Sequence, residues 1–134
     1  MENIQQLKEY LKSYRFFKDS AHTISSLIIL FENESNEDQR KLAPLFSIME
    51  HNDFSVLLKN ALYLLIEEKW YVCSDILKNI NQLNKELEKN VLIQKYINGY
   101  TWEQISEFFN YSLRQIYNIH NRALHNLLNI MQKS

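Results

Sequence analysis

The chain has 134 residues, a formal net charge of −1 and 46% hydrophobic residues, with one Gly (Gly99), one Pro (Pro44) and one Cys (Cys73). That length sets a default of one domain, or one domain with a helical extension, with enough apolar material for a core. The near-neutral charge excludes a global field for polyanions, the lone Cys73 excludes a disulfide framework, and the scarcity of Gly and Pro predicts long helices with few turns.

Residues 2–19 place Ile4, Leu7, Leu11, Tyr14 and Phe16 or Phe17 at helical spacing, with Lys8, Lys12, Arg15 and Lys18 on other faces. Residues 22–31 are rich in β-branched side chains and read as helix or strand, with helix preferred in such Gly-poor company. Residues 32–41 are polar and acidic, as in an exposed linker. Pro44 suits the first turn of a short helix over 44–51, and Asp53 suits the N-cap of the next. From 54 to 68, Phe54, Leu57, Leu58, Ala61, Leu62 and Leu65 form a broad apolar face. From 73 to 87, Cys73, Ile76, Ile80, Leu83 and Leu87 alternate steps of three and four. That seam fits either a bundle helix or a dimer contact. Whether the chain breaks near Trp70 is left open. A further helix is predicted over 88–98, ended by Gly99 in the left-handed conformation.

Two stretches share one pattern: GYTWEQI at 99–105 and NYSLRQI at 110–116. Each reads as a junction where one helix stops and another starts. Gly99 and Asn110 tolerate positive φ. Thr101 with Gln104, and Ser112 with Gln115, have capping-box spacing; Tyr100 with Ile105, and Tyr111 with Ile116, have the spacing of a hydrophobic staple. The pattern predicts a helix over 102–109, a tight turn at 110–112 and a longer helix from 113 to about 130. This is helix-turn-helix geometry. Ile105 and Phe109 or Phe108 are expected to face Ile116 and Ile119, with Ser106 at the close approach. Ile116, Ile119 or His120, Ala123, Leu124 and Leu127 form the inward stripe of the last helix.

The outward side chains of that helix are of types that contact bases and phosphates. Arg114 enters a groove first and is expected at a guanine edge or a phosphate, against a solvated surface Arg. Gln115 either closes the Ser112 cap or reads adenine. Asn118 and Asn121 are candidates for bases or sugar–phosphate, Tyr117 either packs on a sugar or thymine methyl or covers the core edge, and Arg122 is a candidate for phosphate. Thr101 and Ser112 cap, and are candidates to donate hydroxyl or backbone N–H groups to phosphates. Lys95 is a further phosphate candidate. His120 and Trp102 are assigned to packing. Residues 90–134 carry Lys95, Arg114, Arg122 and Lys133 against Glu103 and Glu107. That is mildly basic, so one copy would bind weakly, which predicts a homodimer.

The run VLIQKYINGYTWEQISEFFNYSLRQIYNIHNRALHNLL resembles region 4 of sigma factors. It is closer to phage late-transcription regulators of the ArpU/RinA type from low-GC Gram-positive bacteria. The residues that carry the resemblance are Tyr96-Ile97, Trp102-Glu103, Ile105, Tyr111-Ser112, Arg114-Gln115-Ile116, His120 and Ala123-Leu124. It covers roughly the last 45 residues. Asn110 replaces the usual Gly and Ser106 the usual Ala. The resemblance implies a transcriptional regulator that binds double-stranded DNA at late-gene promoters in a bacterial host cell, with host RNA polymerase as a second expected partner. Two alternatives stand beside it: a sigma-like module that docks on polymerase or another regulator, and a small terminase-like packaging protein.

The expected fold is therefore all-α. A helical region at 1–87 would serve dimerisation or partner binding, and a helix-turn-helix domain would occupy 88–134. No enzyme is expected, since the chain has no restrained acid pair, Cys–His pairing or Gly-rich phosphate loop; Glu67-Glu68 and Glu86 to Glu88 read as solvated helix faces. His22, His51, His120 and His125 show no metal-ligand spacing, so neither metal nor cofactor is expected. With no leader pattern and no bilayer-length apolar run, the expected location is the cytoplasm, without a membrane partner.

Overall fold

The structure, a computed structural model, describes residues 2–32 and 54–133. The expectations for the polar stretch after residue 32, the helix over 44–51 and the Asp53 cap lie outside the described residues. The protein is all-α. Its elements are α1 (Ile4–Glu32), α2 (Phe54–Asn81), α3 (Glu86–Leu92) running into a π turn at Ile93–Ile97, α4 (Trp102–Phe109) and α5 (Leu113–Lys133). Among the described residues no helix is long and apolar enough to cross a membrane.

Asn3 opens α1, its Oδ1 accepting the Gln6 N–H at 2.9 Å. The helix then continues through the ambiguous 22–31 stretch. Leu7, Leu11, Tyr14, Ala21 and Ile28 are all buried and fall on one three-and-four stripe, so the helical period outlasts the local β-branched preference. α2 is also unbroken, passing Trp70 without a turn. It ends earlier than the 73–87 seam implied. Gln82 N–H and Leu83 N–H bond back to the carbonyls of Asn79 and Ile80, each at 3.1 Å, and the chain turns there. Asn81 closes the helix and Asn84 follows it, and Asn favours turns over helix interiors. Leu83 therefore lies in the connection and Leu87 in α3. Cys73, Ile76 and Ile80 are at most 2% exposed. The seam is closed within the chain and is not a free dimer face.

The chain forms two compact units, Met1–Phe16 with Val72–Ser134, and Phe17–Tyr71. In the first, the N-terminal half of α1 is tied to the end of α2 by polar contacts. Tyr10 O–H donates to Asp75, Asn79 Nδ2 donates to Tyr10 Oη at 3.2 Å, and the Cys73 thiol sits 3.6 Å from the Tyr14 carbonyl. Burial, with the neighbouring Cys73, raises the Tyr14 pKa, so its hydroxyl stays protonated. The second unit buries Ala21 and Ile28 and sets Lys69 over the Phe17 ring at 5.3 Å. The apolar face expected over 54–68 stays partly open: Leu57 is 65% and Leu65 42% exposed, while Leu58 and Leu62 are half-buried.

α3 departs from the single helix expected over 88–98. It widens at Ile93, where Asn98 N–H reaches back five residues to the Ile93 carbonyl at 3.0 Å. Gly99, at φ +75, then stops it, and Tyr100 N–H closes onto the Gln94 carbonyl at 3.0 Å. Val91, Ile105, Ile116 and Ile119 form the cluster that joins α3, α4 and α5, with Leu87, Trp102 and Phe109 against it. α4 has only eight residues, too few for a stable isolated helix. Burial of Ile105, worth about 2 kcal/mol, and its caps hold it in place. Glu88 corrects one expectation. It is 3% exposed rather than solvated, and Asn126 Nδ2 on α5 donates to its Oε1 at 2.6 Å while Lys85 Nζ lies 3.8 Å from Oε2. A buried carboxylate needs such partners, and this one clamps α3 to α5.

Candidate nucleic-acid interface

Both copies of the repeated pattern cap helices. Thr101 N–H donates to Gln104 Oε1 at 2.9 Å and Gln104 N–H to Thr101 Oγ1 at 3.2 Å. Ser112 and Gln115 repeat the pair at the same two distances. The backbone N–H groups of Thr101 and Ser112 are thus consumed by the boxes, which leaves only the hydroxyl protons to donate to a phosphate. The staple half of the pattern is weaker than expected, since Tyr100 and Tyr111 remain 43% and 38% exposed. Between the boxes Asn110 takes φ 59, ψ 41, in the left-handed region. Tyr111 N–H bonds the Ser106 carbonyl at 3.1 Å, and the Ser106 hydroxyl donates to the Tyr111 carbonyl. Ser106 thus does more than leave space, because it ties the turn at both groups.

α5 splits cleanly into two faces. Ile116, Ile119, His120, Ala123, Leu124 and Leu127 are buried. Arg114, Gln115, Tyr117, Asn118, Asn121, Arg122 and His125 are exposed. Arg114, Asn118, Asn121 and His125 recur at steps of three and four, so they share one stripe; Gln115 and Arg122 flank it on one side and Tyr117 on the other. α5 contains no carboxylate. Gln115, Asn118 and Arg122 meet around a shallow groove of about 210 Å³ shared with Leu87, Tyr111 and Ile119. Tyr117 leans edge-on against Trp102, ring centroids 5.3 Å apart. Thr101 is exposed at the start of α4, off this stripe. Gln115 already spends its Oε1 on the cap. A bidentate adenine contact uses both amide atoms, so reading adenine from the closed box has Oε1 accept a second hydrogen bond beside the one from Ser112.

Behind Trp102 lies a larger cleft of about 520 Å³. Lys8, Lys12 and Arg15 line it from α1, Lys95 and Tyr96 from the π turn, and Trp102 and His120 from α4 and α5. The Lys95 ammonium sits 4.5 Å over the Trp102 ring. Tyr96 Oη and His120 Nε2 are hydrogen-bonded at 2.8 Å, both side chains buried. Burial first, then the positive charges of Lys8 and Lys95, pull the His120 pKa down to about 4, and burial pushes Tyr96 up to about 12. Both are neutral near pH 7, as packing residues should be.

Sequence reasoning assigned Lys8, Lys12 and Arg15 only to the outer faces of the first helix. Their spacing of four and three was legible as one stripe. That the stripe meets Lys95 is a tertiary fact. The unit that carries α5 is more basic than residues 90–134 alone, because α1 belongs to it: ten Lys and Arg against seven Asp and Glu.

Comparison with known proteins finds no family model, no curated relative and no solved structure that matches this chain.

Proposed function

We propose that the protein is a DNA-binding transcriptional regulator that lays α5 in the major groove of duplex DNA, with α4 and the 110–112 turn as the supporting half of a helix-turn-helix. The observation that carries this reading is the outward stripe of α5. Arg114, Asn118 and Asn121 stand exposed, without a carboxylate on the helix, while the opposite face is fully buried. A side chain reads base edges only if its helix is held rigidly at a fixed distance, and the clamps at Ile105, Ile116 and Glu88 supply that. The motif residues that resemble phage late-gene regulators point the same way, as does the cationic excess of the unit. Thr101, Ser112 and Arg122 would then hold backbone phosphates, while Arg114 and Asn118 would reach bases. A homodimer would double a weak single contact. With the 73–87 seam closed, exposed apolar side chains of the Phe17–Tyr71 unit such as Leu57, Leu64 and Tyr71 are a candidate for its interface.

Selection from random duplex DNA at low and near-physiological salt, with Arg114→Ala and Asn118→Ala in parallel, tests this. An enriched motif should appear with two half-sites, and Arg114→Ala should cost about 1–3 kcal/mol of binding and relax one position. Retention of no sequence at either salt would sink the DNA reading. A sigma-like module docking on polymerase would then be the better account, and Glu103 and Glu107 on exposed positions of α4 favour such a protein contact over a phosphate backbone.

A further inference from the structure

Four cations converge on the cleft behind Trp102. We propose that it binds a small soluble molecule bearing a di- or triphosphate group. The first ground is shape. The cleft is concave, and its volume of about 520 Å³ falls within the usual range of small-molecule sites.

The second ground is charge. Lys8, Lys12 and Arg15 lie at steps of four and three on α1, and Lys95 projects from the π turn. None of the described residues that line the cleft is acidic. Lys12 shares the exposed Glu9 at 3.8 Å; Lys8, Arg15 and Lys95 have no ion-pair partner among the described residues. Like charges gathered without a counter-ion repel one another, and a multiply charged anion relieves that repulsion at once. The same field reaches His120, whose pKa burial lowers first and Lys8 and Lys95 lower further.

The third ground is preorganisation. Lys95 is held over the Trp102 ring, and Arg15 lies so close against Gly99 that a Cβ there would fall 2.2 Å from its Nη1. Lys95 is thus positioned before any ligand arrives, and Arg15 lies beside it against the Gly99 turn. A single phosphodiester of a DNA strand carries one charge and lies on a convex rod. Four cations around a concavity match a compact polyphosphate better. The proposal is independent of the DNA reading, and either can fail alone.

The test uses the full chain with Trp70→Phe, so that Trp102 is the sole tryptophan. Inorganic pyrophosphate and triphosphate are titrated at near-physiological salt and Trp102 fluorescence is followed, with the His120 ring followed by NMR. Saturable one-to-one binding is expected, together with a rise of the His120 pKa from about 4 as the anion offsets the lysines. Lys8→Gln combined with Lys95→Gln should weaken binding at least about tenfold. Lys18→Gln, outside the cleft, should leave it unchanged. If the double variant fails to melt cooperatively, the single Lys8→Gln replaces it, with the wild-type His120 shift as the second readout. No saturable change with either anion, equal affinity in the variants, or an unmoved His120 would overturn the proposal. So would the finding that the cleft variants weaken only duplex binding, which would make the cations part of a DNA-backbone contact.

Discussion

Acidification should loosen this protein through one side chain. His120 is 5% exposed, hydrogen-bonded to Tyr96, and has a pKa of about 4 in place of the usual 6.5. Burial is the main cause, and the charges of Lys8 and Lys95 add to it. Between those two values the unfolded chain binds a proton that the folded chain refuses. Stability from His120 is therefore complete above pH 6.5 and is lost as the pH falls toward 4. Between about pH 7.5 and pH 5 the loss comes to about 2 kcal/mol, from 1.36 kcal/mol per pH unit across the part of the window traversed. Urea unfolding at both pH values, for the wild type and His120→Gln, isolates that contribution, because exposed histidines and carboxylates cancel in the difference. The wild type should lose about 2 kcal/mol more than the variant on going to pH 5. Equal losses in the two proteins would show that His120 titrates normally and is not shut away with Lys8 and Lys95.

Three further outcomes follow from the packing around α4. Ile105→Ala, at a fully buried position shared by α3, α4 and α5, should cost about 2–5 kcal/mol in chemical denaturation and release α4 first, seen as loss of amide protection at 102–109. Thr101→Ala and Ser112→Ala should each cost about 1 kcal/mol of thermal stability, and the two losses should add, since the boxes share no partner. Asn110→Ala should cost about 1 kcal/mol because Ala has no local compensation in the left-handed region, whereas Asn110→Gly should cost none; equal losses for both would refute the conformational argument.

Local chemistry was the legible part of the site. The spacing of Thr101 with Gln104, and of Ser112 with Gln115, was enough to place both caps, since a capping box closes within four residues and needs no tertiary partner. The same holds for Gly99 and Asn110, whose side chains are the types that accept positive φ. Periodicity separated the buried stripe of α5 from Arg114, Asn118 and Asn121, because one helix face is read from a single stretch of chain. Glu88 was misread for the opposite reason. It sits three and four residues before Val91 and Leu92, on their face, but its partner Asn126 is far along the chain, and a charged residue is ordinarily solvated. The 73–87 seam is buried as a bundle helix would have it, but not along one helix, since the period continued across a turn that only backbone bonds at 82 and 83 reveal.

By itself, then, the sequence determined that the chain is helical, where α4 and α5 begin, and which side of α5 faces outward. These follow from interactions within a few residues. Only the tertiary structure decided that α1 and α2 are unbroken, that α3 widens into a π turn, and that the first sixteen residues belong with the C-terminal unit. It also brought Lys8, Lys12 and Arg15 to Lys95 across some eighty residues of chain. A pairing at that distance in sequence is chosen by which surfaces fit together in the core, and leaves no periodic mark on the chain itself.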